Sequence, residues 1–90
     1  IVLDGFITTA AALLAEARRP GTADRMIAAH CSAETGHARM LAHLGLAPLL
    51  DWGLRLGEGT GALLTLPLLD AAAAMVGQMA TFADAGIATE

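Results

Sequence analysis

The sequence predicts an α/β fold with a short parallel sheet, in a segment that is otherwise mostly helix. Three observations lead there. Two brief apolar runs of strand length occur, at Ile1–Leu3 and Met26–Ala29. An Ala- and Leu-rich stretch lies between them, and polar residues close both runs. Strand, helix, short loop and strand in that order is the rhythm of a βαβ unit.

The elements follow in order. Ile1-Val2-Leu3 is β-branched and apolar, and Asp4-Gly5 ends it as a turn ends a buried strand. Thr8 or Thr9 is expected to cap a helix over Ala10–Arg19, which Pro20-Gly21 stops. Residues 20–24 form a polar connection. The composition of Met26–Ala29 suits strand or helix equally, and the βαβ spacing decides for a strand leading into His30-Cys31-Ser32. A helix is expected over Thr35–Leu44, with Gly45 just beyond its end. Residues 46–61 read as a loop in which four glycines fall within the nine positions 53–61. That density points to backbone conformations or close approaches that a Cβ would block. A long helix capped by Thr60 should follow, kinked near Pro67, running to about Asp84 and ended by Gly86.

Composition narrows the class. Apolar residues make up 56% of the ninety positions and charged residues 16%, against about 45–50% and 25% in ordinary domains. A segment this apolar is expected to be a piece of a larger core, with no separate domain inside it. Its abrupt apolar opening at Ile1, with no initiator Met and no signal pattern, is expected to be an internal start in a longer chain. Five Lys and Arg and a net charge of −4 offer no basic stripe for nucleic acid. The single Cys31 forms no internal disulfide and fits a reducing, cytoplasmic setting. Gly61–Ala83 is long and apolar, but Pro67, Asp70 and Gln78 interrupt it and no Lys or Arg anchors its flanks. A buried helix is expected there rather than a membrane span.

Three groups could meet at a site: Asp4-Gly5-Phe6, His30-Cys31-Ser32 and Gly57-Glu58-Gly59. In open α/β sheets, ligands bind beyond the carboxyl ends of the strands, where the first two groups would lie. Glu58, between two glycines in an apolar stretch, would have its pKa raised by desolvation, as suits a general base near neutrality. An exposed turn carboxylate or one favoured by a helix dipole is the alternative. The Ser32 hydroxyl could hold an anion or serve as an ordinary helix cap. His30, Cys31, Glu34 and His37 match no familiar zinc spacing, so no metal site is expected. Asp51 and Arg55, four apart, could form an ion pair, and Trp52 reads as a packing anchor.

Several motifs together resemble one enzyme family. They are Asp4-Gly5-Phe6-Ile7 before an Ala-rich helix; the run from His30 through Ser32-Ala33-Glu34 to Gly36-His37; and Leu49-Leu50-Asp51 followed by Gly53-Leu54-Arg55-Leu56-Gly57-Glu58-Gly59-Thr60-Gly61-Ala62. Met79-Ala80-Thr81-Phe82-Ala83-Asp84-Ala85-Gly86 fits as well. The family is nicotinate-nucleotide–dimethylbenzimidazole phosphoribosyltransferase, often called CobT. The resemblance implies the C-terminal catalytic segment, over residues 1–90, of a homodimeric parallel-sheet transferase with no cofactor and no metal. Its reaction displaces nicotinate from nicotinate mononucleotide by dimethylbenzimidazole, giving α-ribazole phosphate for the lower ligand of cobalamin. Glu58 would be the general base, with Ser32, Leu56 and Gly57 beside the nucleotide. Cys31 and Thr35 depart from the family pattern and receive no role. The remaining contacts would come from the N-terminal part of the same protein, so the lone segment should fold poorly and be inactive. Two other readings stand beside this one: the same fold with adenine or a phenol as acceptor, and a non-catalytic helical module that docks a partner.

Overall fold

The computed structural model describes residues 1–88. Strands β1 (Val2–Leu3) and β2 (Ile27–Ala28) run parallel, with Val2 opposite Ile27 and Leu3 opposite Ala28. The Ile27 and Ala29 amides donate to the Ile1 and Leu3 carbonyls at 2.8 and 2.9 Å. Helix α1 (Phe6–Arg18) and a 3₁₀ turn (Thr22–Arg25) make the crossover, so the expected βαβ unit is present. The other edge of β2 is also paired. Leu49 and Leu50 donate to the Ala28 and Ala29 carbonyls, both at 3.0 Å, and Cys31 donates back to Leu50 at 2.9 Å. This third parallel line of backbone, bridged at His30 and Leu50, falls inside the expected loop. Its pairing is two residues long and follows Pro48, too short to leave a periodic signal.

The helix ends differ from the sequence expectation for local reasons. α1 starts at Phe6, four positions before the expected Ala10, with Gly5 as its cap. Thr8 and Thr9 are therefore inside the first turn; the Thr8 hydroxyl accepts the Gly5 amide at 3.0 Å, the part a Glu plays in a capping box. Beyond Arg18 the chain reverses at Gly21, which adopts φ 92°. The Glu16 carboxylate fastens this turn, accepting the Gly21 and Ala23 amides at 2.8 and 2.7 Å. Helix α2 (His37–Leu44) begins two residues late but ends at Gly45 as expected. There the Leu46 amide reaches back to Leu41 at 3.0 Å, closing a Schellman turn.

Helix α3 (Thr60–Gln78) is capped by Gly59 rather than Thr60 and is continuous through Pro67. It stops at Gln78, short of Asp84, because Met79 turns extended. A separate turn follows, in which Thr81 donates from its amide and hydroxyl to Asp84 Oδ2 at 3.0 and 2.7 Å. Gly86 closes that turn rather than the long helix.

The core is small: Leu3, Ala12, Ala23 and Leu44, with Leu13, Met26 and Leu46 packed against it. α3 lies largely outside it, exposing Leu63, Leu64, Leu66, Leu68, Met75 and Val76. The radius of gyration is 16.4 Å, against about 12 Å for a compact domain of this length. By length and composition alone α3 could cross a membrane.

Candidate functional site

The carboxyl ends of β1 and β2 present Asp4 and His30 beside the N-termini of α1 and α3. Between them lies a cleft of about 480 Å³, in the range of small-molecule pockets. The start of α1 (Gly5–Thr8) forms one wall. Asp4, His30 and Ser32 line its base, and Glu34, Arg55 and Gly57 its rim. The strand-end groups expected from the sequence therefore do converge.

Asp4, expected at the strand end, makes a contact that the sequence does not foretell: it holds the start of α3. Its Oδ2 accepts the Gly59 amide at 3.2 Å and its Oδ1 the Ala62 amide at 3.0 Å. Gly59 caps α3 without a side chain of its own, and Ala62 is the third residue of that helix. A capping Ser or Asp would normally supply the oxygen for such orphan amides. Here the carboxylate comes from the end of β1 instead.

His30 is 4% exposed, with Nε2 4.0 Å from Asp4 Oδ1. Its Nδ1 is buried with no hydrogen-bond partner among the described residues. The Gly61 backbone lies against the imidazole so closely that a Cβ there would meet Cδ2 and come within 2.6 Å of Nε2. This contact is why one glycine of the loop motif has to be glycine. Gly57 and Gly59 owe their identity to φ values of 75° and 79°.

His37 is fully buried behind the cleft. The Ser32 amide donates to its Nδ1 at 2.7 Å, and its Nε2 lies 2.8 Å from the Thr9 hydroxyl. Thr9 in turn donates to the Gly5 carbonyl at 2.8 Å. An amide can only donate, so Nδ1 accepts; Nε2 therefore carries the proton and donates to Thr9. This neutral imidazole ties the loop after β2 to the first turn of α1. Burial, reinforced by neighbouring His30 and opposed by Asp4, holds the His37 pKa below its ordinary 6.5. The unfolded chain then binds the proton more readily. Stability from this group is full above about pH 6.5 and is lost as pH falls below it. The full-length protein should lose Tm between about pH 7 and 5.5 more steeply than its His37→Gln variant; equal slopes would exclude this role.

Ser32 is buried at the cleft base, and its Oγ accepts the Glu34 amide at 3.2 Å. It caps that turn and not α2, whose cap is Gly36. Gly57 is on the rim, whereas Leu56 is 65% exposed and off the cleft wall. Glu58 is exposed, so the desolvation expected of it is not met within this segment. Arg55 pairs with Glu34 at 3.7 Å rather than with Asp51, because residues 51–57 are not helical and the four-residue spacing brings nothing together. Both partners are well exposed, so the pair contributes little to stability. Trp52 is 64% exposed rather than packed in this segment. Burial and the Asp51 charge push the Cys31 thiol up, which favours the unreactive protonated form.

A parallel α/β protein with a small-molecule cleft at its strand ends is what this arrangement defines. A family model described as phosphoribosyltransferase matches residues 1–87. The nicotinate-nucleotide–dimethylbenzimidazole phosphoribosyltransferase of Desulforudis audaxviator is 61% identical over 87 residues, covering 97% of this chain and 25% of that protein. The enzyme of the same name from Shewanella oneidensis is 60% identical over the same shares. A crystal structure of the Thermus thermophilus enzyme of that name aligns with TM-score 0.87 at 55% identity, over 99% of this chain and 27% of that one. The chain belongs to this phosphoribosyltransferase family. It spans about a quarter of the length of the relatives it matches.

Proposed function

We propose that the full-length protein transfers the phosphoribosyl group of nicotinate mononucleotide to dimethylbenzimidazole, and that residues 1–90 are its C-terminal catalytic segment. The observation that carries this is 61% identity over 97% of the chain to an enzyme named for that reaction. One imidazole nitrogen of the acceptor attacks the anomeric carbon of the ribose, with inversion. The bond to nicotinate breaks, and its electron pair returns to the pyridinium ring, which leaves without needing a proton. The second acceptor nitrogen loses its proton to Glu58. Ser32 and Gly57, on the cleft, and the Leu56 backbone beside them hold the nucleotide. No step calls on a metal or cofactor.

On this reading the N-terminal part of the protein completes the cleft around Glu58 and covers the apolar face of α3. The helix is then a packing element and not a membrane span. The working protein is a cytoplasmic homodimer, and the segment alone is inactive. A chain of net charge −4 with only five basic residues has little to offer nucleic acid.

Product analysis of the full-length protein, given nicotinate mononucleotide and a mixture of dimethylbenzimidazole, adenine and a phenol, tests the proposal. α-Ribazole phosphate should dominate. A dominant adenine or phenol product would keep the chemistry and change the acceptor; no product from any base would favour a non-catalytic module.

A further inference from the structure

We infer that Asp4 is a positioning residue for the Glu58 loop, fastening it to the end of β1 so that the carboxylate stands over the cleft. The inference rests on the proposed role of Glu58 as base.

Glu58 lies between Gly57 and Gly59, both in the left-handed region. Such a loop has little intrinsic stiffness, since glycine loses more conformational freedom on ordering than any other residue. A proton acceptor must nevertheless be held close to one geometry, because a displacement of about 1 Å can cost roughly 10²-fold in rate. Among the described residues no side-chain hydrogen bond or ion pair involves Glu58 itself. What is held is the backbone immediately after it. The Gly59 amide is 3.2 Å from Asp4 Oδ2, and the Ala62 amide 3.0 Å from Oδ1. Two oxygens of one carboxylate thus bracket the first turn of α3 and fix where Glu58 leaves it. Charge-assisted bonds of this kind are the stronger class.

The anchor is itself immobilised. Asp4 follows β1 directly, where Leu3 is buried in the core and its carbonyl accepts the Ala29 amide at 2.9 Å. Beneath the α3 turn, His30 packs against Gly61 and also near Gly5, whose own Cβ would lie 3.5 Å from Nε2. The helix start is therefore held by Asp4 and backed by a buried ring. The hydrogen bonds of Asp4 go to backbone amides, with His30 Nε2 4.0 Å from Oδ1, and on this inference its part in the reaction is exerted through Glu58.

A double-mutant cycle in the full-length protein tests this, using nicotinate mononucleotide and dimethylbenzimidazole. Asp4→Ala should lower kcat by about 10²-fold with KM for the nucleotide nearly unchanged, and Asp4→Asn, which keeps one acceptor oxygen, by less. In a Glu58→Gln background, Asp4→Ala should cost less than about 3-fold, because the group it positions is already gone. Amide exchange across residues 59–62 should accelerate in both Asp4 variants. A slow Glu58→Gln enzyme in which Asp4→Ala costs its full factor again would overturn the positioning role and leave the base in place. Unchanged kinetics and exchange in the Asp4 variants would overturn it equally. A fully active Glu58→Gln enzyme would sink the base assignment, and the positioning role with it. Should Asp4→Ala fail to fold, Asp4→Asn supplies the same comparisons.

Discussion

Glu58→Gln in the full-length protein lowers kcat by about 10²–10⁴-fold, the usual contribution of a positioned general base. Glutamine keeps the shape and polarity of the side chain but cannot take up a proton near neutrality. The proton leaves the acceptor only as its other nitrogen bonds to the ribose. The lost interaction therefore belongs to the transition state, and KM for nicotinate mononucleotide should move far less than kcat. Initial-rate measurements over both substrates separate the two. An unchanged kcat would remove Glu58 from the mechanism while leaving the family assignment intact. The exposure of Glu58 in this segment makes the experiment informative, because the surroundings of a working base would have to be completed by the rest of the protein.

Gly61→Ala should be the most damaging single methyl in this segment. Its Cβ would run into Cδ2 of His30 and come within 2.6 and 2.7 Å of Nε2 and Cγ. The ring has no easy retreat, being 4% exposed and bordered also by Gly5, whose Cβ would lie 3.5 Å from Nε2. Either the ring or the first turn of α3 must move, and overpacking of this kind costs about 1–3 kcal/mol. Moving the helix start would also stretch the Asp4 bonds to Gly59 and Ala62. A lowered Tm accompanied by a lowered kcat is the expected pair of results for the full-length protein. The double variant Gly61→Ala with His30→Ala should recover part of the Tm, since it removes the atoms in conflict. No change on Gly61→Ala would show that the close approach is not structurally required.

Much of the frame was legible because it is local. β1, β2 and the helix between them could be read from short apolar runs and their spacing, and Gly45 from its place after an apolar helix. The convergence of Asp4-Gly5 and His30-Ser32 followed from the rule that parallel strands deliver their carboxyl ends to one side, whereas Gly57 reaches them from the glycine-rich loop. The boundaries were less legible. α1 starts at Phe6 because Gly5 and Thr8 complete a cap that contains no acidic residue, and α3 ends at Gln78 because a Thr81–Asp84 turn competes with its continuation.

By itself, the sequence determined the α/β class, the order of the elements and the residue types gathered at the strand ends. These depend on neighbours within a few positions, where hydrophobic period and turn chemistry act. Its glycine-rich motif also carried the family resemblance that the comparisons bear out. Only the tertiary structure decided that Asp4 caps a helix beginning more than fifty residues later, that His37 is a neutral buried link, and that Gly61 is a contact surface for His30. Each of these joins groups from separate elements across the sheet. A hydrogen bond or a close approach between distant segments leaves no periodic trace in the chain, because it depends on where the packed core sets those segments side by side.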